Sequence, residues 1–272
     1  MNGPASLADL QSPCFRSWLD RMRRPWIPHR KFWEFAYIAQ ALAERGRLGP
    51  GRCGLGLAVG SEPLPALFAS LGCQIVATDQ PPTRAASGWA QLGMHATGPE
   101  KLNRDGICPD VAFARLVSFR FLDMNTLAAD LEGFDFLWSS CAIEHLGSIE
   151  RAIQHVRRAM RCLAPGGVAV HTTELNLTSD IRTIEERDTV ILRERDLRRM
   201  AALLEEDGHR IGPLDFEPEP CRTDLPPYDR AVYEAWFNRL PCLRLRIGEF
   251  NATSFGFVVE KGQTPRAESI LR

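Results

Sequence analysis

The sequence predicts an α/β domain whose mostly parallel sheet is covered by helices on both faces. Apolar strand-like segments alternate with helical segments along most of the chain, which is typical of this class. A glycine-rich turn, Gly54–Glu62, joins the first buried strand to a helix. Polar or glycine residues follow five consecutive predicted strands. The 272 residues, of which 44% are hydrophobic, suit one domain of this size.

The chain divides into an N-terminal arm (1–30), the main domain (31–262) and a C-terminal tail (263–272). Four prolines interrupt the arm and predict that it is irregular: Pro4, Pro13, Pro25 and Pro28. The basic residues between positions 21 and 31 are interpreted as a solvated face of this arm, with a local basic patch as the alternative. The first helix is predicted over Lys31–Arg45, where apolar residues recur at helical spacing.

Seven strands are predicted from apolar segments that are bounded by turn residues. They are Cys53–Ala58, Gln74–Thr78, Leu116–Leu122, Phe134–Ser139, Val168–Thr173, Arg210–Phe216 and Ser254–Glu260. The segment 217–250 breaks this rhythm because it is rich in proline and aromatic residues. It is predicted as a lid over the active site, with a helix packed on the sheet as the alternative interpretation.

Composition excludes several classes of protein. The formal net charge of -1 provides no overall field that would attract nucleic acid or an anionic membrane. No apolar run is long enough to span a membrane, and the N-terminus lacks the order of a signal peptide. The eight cysteines form no Cys-x-x-Cys pair, so no metal site is expected. We therefore expect a cytoplasmic protein that binds neither nucleic acid nor membrane.

The polar residues at the strand ends predict a cofactor pocket, because ligands of open α/β sheets bind outside the carboxyl ends of the strands. These residues are Gly60, Asp79, Asp123, Ser139, Ser140, Thr173 and Glu174. Asp79 lies 19 residues after Gly60, which is the spacing of an acid that binds ribose hydroxyls after a glycine turn. Alternatively, Asp79 caps a loop and Asp123 caps a short helix.

Together these segments resemble the class I S-adenosylmethionine-dependent methyltransferases. Four pieces carry the resemblance, which covers about residues 30–216 and the last strand: GLGLAVGSEPLPALFASLGCQIVATD, FRFLDMN, FDFLWSSCAIEHLGS and LAPGGVAVHTTELN. It implies a Rossmann-like, seven-stranded, mostly parallel sheet with helices on both faces and an antiparallel last strand. It also implies S-adenosyl-L-methionine as cofactor and methyl transfer to an oxygen or nitrogen of a small molecule or glycan precursor.

The resemblance implies a role for each matching residue. Gly56 and Gly60 lie beside the methionine part of the cofactor, and Asp79 binds both ribose hydroxyls. Asp123 accepts a hydrogen bond from the adenine amino group, with Met124 beside the ring. Residues at the end of the fourth strand line the methionine part: Ser139 and Ser140.

Two positions of the glycine turn depart from the family pattern. Gly54 stands where an acid is usual, and Ala58 stands where a glycine is usual. Glu62 is the candidate that would take over the contact with the ammonium group of the cofactor.

Three residues are candidates for catalysis: His145, Glu144 and Glu174. A general base is needed only when the attacking atom is a poor nucleophile, such as a hydroxyl. The imidazole of His145 titrates near neutral pH and suits this task. The alternative is a histidine that shields the cofactor without transferring a proton. His171 is predicted to be a hydrogen-bonded interior residue.

Other functions stay open as alternatives. The departures at Gly54 and Ala58 favour a cofactor-binding regulatory or scaffold protein without activity. A nicotinamide-dependent oxidoreductase is disfavoured because no Tyr-x-x-x-Lys pair is present.

Overall fold

The computed structural model describes residues 2–82, 95–218 and 242–263. Most of the predicted lid (219–241) and most of the tail (264–272) therefore lie outside the described residues. The remaining part of the lid segment contains a strand and the start of another.

The N-terminal arm is regular, and the prediction of an irregular arm was wrong. It forms strand β1 (Gly3–Pro4) and helices α1 (Leu7–Gln11) and α2 (Pro13–Arg21), followed by helix α3 (Arg30–Glu44). The hydroxyl of Ser12 accepts a hydrogen bond from the Phe15 N–H and caps α2, and Pro13 takes the first turn, where it costs no hydrogen bond. The prolines thus mark the borders of short elements.

The sheet of the described chain has nine strands, so the prediction of seven was wrong in number. The further strands are β2 (Cys53–Gly56), β3 (Gln74–Asp79), β4 (Val117–Phe121), β5 (Phe134–Ser140), β6 (Leu163–Asn176), β7 (Arg210–Ile211), β8 (Arg244–Ile247) and β9 (Phe250–Glu260). Each of the seven predicted strands forms. The two additional strands, β1 and β8, both pair with β9. Strand β1 has only two residues, which is too short for any periodicity to reveal.

The central part of the sheet is parallel, in the order β6-β5-β2-β3-β4. Strand β9 pairs antiparallel with β6, so the predicted antiparallel last strand is confirmed. The chain runs outward from β2 in one direction to β3 and β4, and in the other to β5 and β6. The order therefore reverses between β2 and β5, and a ligand crevice is expected outside their carboxyl ends.

Helices cover both faces of the sheet, as predicted. Besides α3 they are α4 (Leu64–Ser70), α5 (Asp110–Leu116), α6 (Ile149–Ala159) and α7 (Glu194–Glu206). One apolar core lies under α3 and α4 and includes Phe68, Phe136 and Trp138. The other lies under α6 and α7. No described helix is both long and apolar enough to cross a membrane.

Candidate functional site

The glycine turn begins in β2 with Gly54 and Gly56, and both glycines pack tightly against β5. A Cβ atom on Gly54 would lie 2.3 Å from the Phe136 ring, and one on Gly56 would lie 2.5 Å from the Trp138 ring. The acid that is usual at the position of Gly54 is therefore sterically excluded. Ala58 (φ +51°) and Gly60 (φ +53°) have left-handed backbones, so Ala58 adopts the glycine-like conformation despite its methyl group.

Asp79 joins the end of β3 to this turn. Its Oδ2 accepts hydrogen bonds from the Gly60 N–H at 3.1 Å and the Ala96 N–H at 2.9 Å, and its Oδ1 accepts one from the Gln80 N–H at 2.8 Å. A carboxylate offers about four acceptor positions. Oδ1 therefore keeps one position for a ligand hydroxyl. Asp79 thus caps the loop after β3, as the alternative prediction has it, and it keeps the acceptor position that ribose binding would require.

Glu62 lies in the turn two residues before α4 and is buried. Its Oε1 accepts a hydrogen bond from the Trp138 indole N–H at 2.5 Å. Burial raises the pKa of Glu62 to about 8, so the carboxyl is largely protonated at neutral pH. Glu62 also lines a cavity of about 200 Å³ together with Ser61, Lys101 and Arg104.

Asp123 and Met124 follow β4. The Oδ1 of Asp123 accepts a hydrogen bond from the Asn125 N–H at 2.9 Å, so the side chain shapes its own turn. Asp123 also lines a cavity of about 400 Å³ with Asn125, Arg151 and Arg158. Met124 is buried, and its backbone carbonyl lies 2.7 Å from Nδ1 of His155.

Ser139 and Ser140 end β5 but lie in different surroundings. Ser139 is fully buried, with its hydroxyl 2.8 Å from Nδ1 of His171. Burial lowers the pKa of His171 to about 3, so this imidazole is neutral and belongs to the interior. The hydroxyl of Ser140 instead donates to Oε2 of Glu34 at 2.9 Å.

A buried charge cluster lies beside Ser140, and the sequence interpretation missed it. We define it by Arg30, Lys31, Glu34, Glu144 and Glu174, whose exposed fractions are 8% or less. Glu34 pairs with Arg30 at 3.0 Å and with Lys31 at 2.8 Å, and Arg30 also pairs with Glu174 at 2.6 Å. The sequence analysis placed Arg30 and Lys31 on a solvated face of the N-terminal arm, but both side chains are buried. The signal that points to them is Glu34, three and four residues after its partners on an otherwise apolar helix.

The carboxyl groups of the charge cluster differ in their protonation. Burial alone would raise the pKa of Glu34, but Lys31 and Arg30 lower it to about 2. For Glu144 the effect of burial outweighs that of Lys31 and Arg30 and raises the pKa to about 7. Burial also raises the pKa of Glu174. The cluster therefore combines a permanent carboxylate with two carboxyl groups that favour a proton more than usual.

His145 borders the charge cluster at the end of a short 3₁₀ helix, Ile143–His145. Its Nδ1 lies 2.9 Å from the carbonyl oxygen of Asp188. Because a carbonyl only accepts, Nδ1 carries the proton in this contact. Burial lowers the pKa of His145 to about 4, which makes it a weaker base than Glu144 at neutral pH.

The structure thus brings the predicted residues together in two groups. Gly60, Glu62 and Asp79 meet around the glycine turn. Glu144 and Glu174 meet in the charge cluster, with one carboxylate oxygen of each within 4.8 Å of the other. Asp123 belongs to neither group and lines its own cavity.

No protein-family model and no curated protein matches the chain in sequence. Solved structures do match its fold. A protein assigned as a sarcosine dimethylglycine methyltransferase from Galdieria sulphuraria has a TM-score of 0.54 at 14% identity, covering 93% of this chain and 99% of its own. A protein assigned as a methyltransferase from Bacillus halodurans has a TM-score of 0.50 at 15% identity, covering 82% and 98%.

The chain has the fold of the class I S-adenosylmethionine-dependent methyltransferases. The 4+2 cyclase SpnF is also similar, with a TM-score of 0.54 at 17% identity over 89% of this chain and 85% of its own. The methyltransferase fold is therefore similar to that of a protein named for another reaction, and the chemistry of this chain has to be argued from its site.

Proposed function

We propose that this protein is an enzyme that transfers a methyl group from S-adenosyl-L-methionine to an oxygen or nitrogen of a small molecule or glycan precursor. The observation that carries this proposal is the contact between Gly60, which follows β2, and Asp79, which ends β3, beside the reversal of strand order. It ties the glycine turn to the acid at the end of the next strand, where a nucleoside is expected to bind.

The residues around the crevice fit the cofactor. Asp79 retains an acceptor position for a ribose hydroxyl, and Asp123 and Met124 lie at the next strand end, where the adenine would bind. Gly56, Gly60 and Glu62, with Ser139 and Ser140 across the crevice, would surround the methionine part. S-adenosylmethionine supplies an electrophilic methyl group on a positively charged sulfur. The protein would position the acceptor and remove its proton.

Among the catalytic candidates, Glu144 is best suited to accept a proton near neutral pH. Its pKa of about 7 lies near neutral pH, where a general base is most efficient. His145, with a pKa of about 4, is proposed to orient the loop around residues 188–189, whose backbone and hydroxyl it contacts. Glu174 is held by Arg30 at 2.6 Å and would bind the acceptor.

The proposed partner is a small acceptor molecule, and neither nucleic acid nor a membrane is proposed as a partner. The described cysteines are unpaired, which supports a reducing compartment such as the cytoplasm.

Calorimetry with S-adenosylmethionine, S-adenosylhomocysteine and NAD tests the cofactor. We expect micromolar binding of the first two and none of NAD. The Asp79→Ala variant should weaken S-adenosylhomocysteine at least tenfold, because a charge-assisted hydrogen bond to ribose is lost. The matched control is Asp130→Ala, at an exposed ion pair with Arg120. Tight NAD binding, or full affinity in a folded Asp79→Ala protein, would contradict the proposal.

Turnover separates an enzyme from an inactive scaffold. Formation of S-adenosylhomocysteine should be detected with pooled amines, sugars or carboxylates as acceptors. Glu144→Ala should lower it at least a hundredfold while cofactor affinity stays within threefold, because a general base contributes about 10²–10⁴-fold. A protein that binds the cofactor but shows no turnover with any pool would instead support the scaffold alternative.

A further inference from the structure

Two carboxylate oxygens of the charge cluster are buried without any hydrogen bond. They are Oε1 of Glu144 and Oε2 of Glu174. Leaving a buried acceptor unsatisfied costs about 1–3 kcal/mol, and more when the group is charged. Two such atoms in neighbouring side chains are acceptors that a ligand with hydrogen-bond donors would satisfy.

Glu144 also has no cation in direct contact among the described residues, although Lys31 and Arg30 are near enough to lower its pKa. Its carboxylate accepts one side-chain hydrogen bond, from the Thr173 hydroxyl at 3.2 Å, and forms no ion pair. In the cluster as a whole, the three carboxyl groups outnumber the two cations, Arg30 and Lys31. A further positive charge would therefore balance the cluster when all three carboxyl groups are ionised.

A metal ion meets this need less well than an organic cation. Cys141 Sγ lies within 4.8 Å of the oxygens of Glu144 and Glu174, which is a possible ligand set. However, Arg30 Nη1 lies 2.6 Å from the Glu174 carboxylate and 3.8 Å from Cys141 Sγ. A divalent ion in that place would face the guanidinium charge at short range, with twice the repulsion that a monovalent ammonium group meets there. Burial also raises the pKa of Cys141 well above its usual value, which opposes the thiolate that a metal requires.

A neutral hydroxyl compound would provide donors but no charge, and an anion would provide neither. An ammonium group provides three N–H donors and one positive charge. Solvent reaches the border of the cluster at Ser140, which is half-buried and donates to Glu34.

We propose that the charge cluster is the acceptor site and that the acceptor is an amine, whose ammonium group is bound by the free oxygens of Glu144 and Glu174. This inference rests on the proposed function and narrows it to N-methylation. The bound ammonium passes one proton to the Glu144 carboxylate and becomes a neutral amine. The amine nitrogen then forms a bond to the methyl carbon as the carbon–sulfur bond breaks. Sulfur takes the bonding electrons, and nitrogen carries the positive charge that sulfur loses.

Three probes separate charge from hydrogen bonding. Butylammonium has both charge and N–H donors, butanol has a donor without charge, and tetramethylammonium has charge without donors. Saturation-transfer NMR and calorimetry on the full chain should show the tightest binding for butylammonium, at least tenfold above either other probe. Glu144→Gln keeps the shape of the side chain and removes its charge, so butylammonium should bind it at least tenfold more weakly.

The matched control is Glu150→Gln, an exposed carboxyl paired with Arg199 on neighbouring helices. It should bind butylammonium like the unaltered protein. S-adenosylhomocysteine affinity, measured in parallel, should stay within threefold in both variants. The affinity for S-adenosylhomocysteine reports on the cofactor site alone. A protein that does not bind S-adenosylhomocysteine would contradict the proposed function, whatever the butylammonium titration shows.

Several outcomes would overturn the amine site. One is S-adenosylhomocysteine binding without any butylammonium binding, which leaves the proposed function intact. Equal butylammonium affinity in the folded Glu144→Gln protein is another. Stoichiometric Zn²⁺ binding that is lost in both Glu144→Gln and Cys141→Ala would assign the site to a metal. Turnover with sugars but with no amine would assign the site to hydroxyl acceptors.

Discussion

Glu62 is one carboxyl group that makes the stability of the protein depend on pH. Its pKa is about 8 in the folded state against a usual value of 4.5, because burial disfavours the charged form. Between these two pH values the folded chain binds a proton that the unfolded chain has released. The contribution of Glu62 to the free energy of unfolding is therefore fully present below pH 4.5 and is lost as the pH rises towards 8.

We expect Glu62→Gln to remove the part of the pH dependence that comes from Glu62, since glutamine keeps the acceptor for Trp138 and does not titrate. The free energy of unfolding of the variant, relative to the unaltered protein, should rise from pH 5 to pH 8. The slope of this free-energy difference against pH should approach about 1.4 kcal/mol per pH unit. Urea unfolding at several pH values measures it, with the exposed Glu205→Gln as control. A difference that stays constant over this range would show that Glu62 is charged in the folded protein.

At the scale of elements, helix α3 is held to the sheet by charge as well as by apolar packing. Glu34 is fully buried and contacts Ser254 of β9 and Ser140 of β5 besides its two cations. One carboxylate thus joins the helix to two strands. A buried ion pair is costly to break, because the charge that remains has no partner.

Glu34→Gln should therefore destabilise the protein by about 3 kcal/mol. Glu44→Gln, at the exposed end of the same helix, is the matched control and should cost less than about 0.5 kcal/mol. Urea unfolding measures both, and amide hydrogen exchange should report faster opening of α3. Similar stability of the two variants would mean that α3 is held by apolar contacts alone.

The same helix shows what the sequence could and could not predict. Its apolar periodicity predicted a helix over Lys31–Arg45, and the observed helix is Arg30–Glu44. Periodicity reports which faces are apolar, but it does not report that Arg30 and Lys31 fold inward onto Glu34. That depends on partners more than 100 residues away, such as Ser140 and Ser254. The strand-end residues were predictable because topology alone brings parallel strand ends to one edge.

The whole molecule is organised around β9, and this arrangement was the least predictable. Strands β1, β6, β7 and β8 all pair with it. The sequence predicted a closing antiparallel strand, but not that the N-terminal residues return to it. The contact between β1 and β9 joins residues about 250 positions apart, and no local pattern encodes it. The acids at the carboxyl edge of the sheet were predictable from residue type and strand position, whereas Arg30 and Lys31, which lower the pKa of Glu34, reach that edge only through tertiary packing.

Asn2 is the residue that ties the N-terminus into this arrangement. It is buried, its Nδ2 donates to the Gly212 carbonyl at 2.9 Å, and its Oδ1 accepts from the Val258 N–H at 3.0 Å. Asn2→Ala leaves both backbone groups without a partner and should cost about 2 kcal/mol in the free energy of unfolding. Exchange of the Val258 amide should quicken accordingly. The matched control is Asn251→Ala, exposed on β9 itself, which should change stability by less than about 0.5 kcal/mol. If both substitutions are neutral, the two side-chain hydrogen bonds of Asn2 do not stabilise the fold.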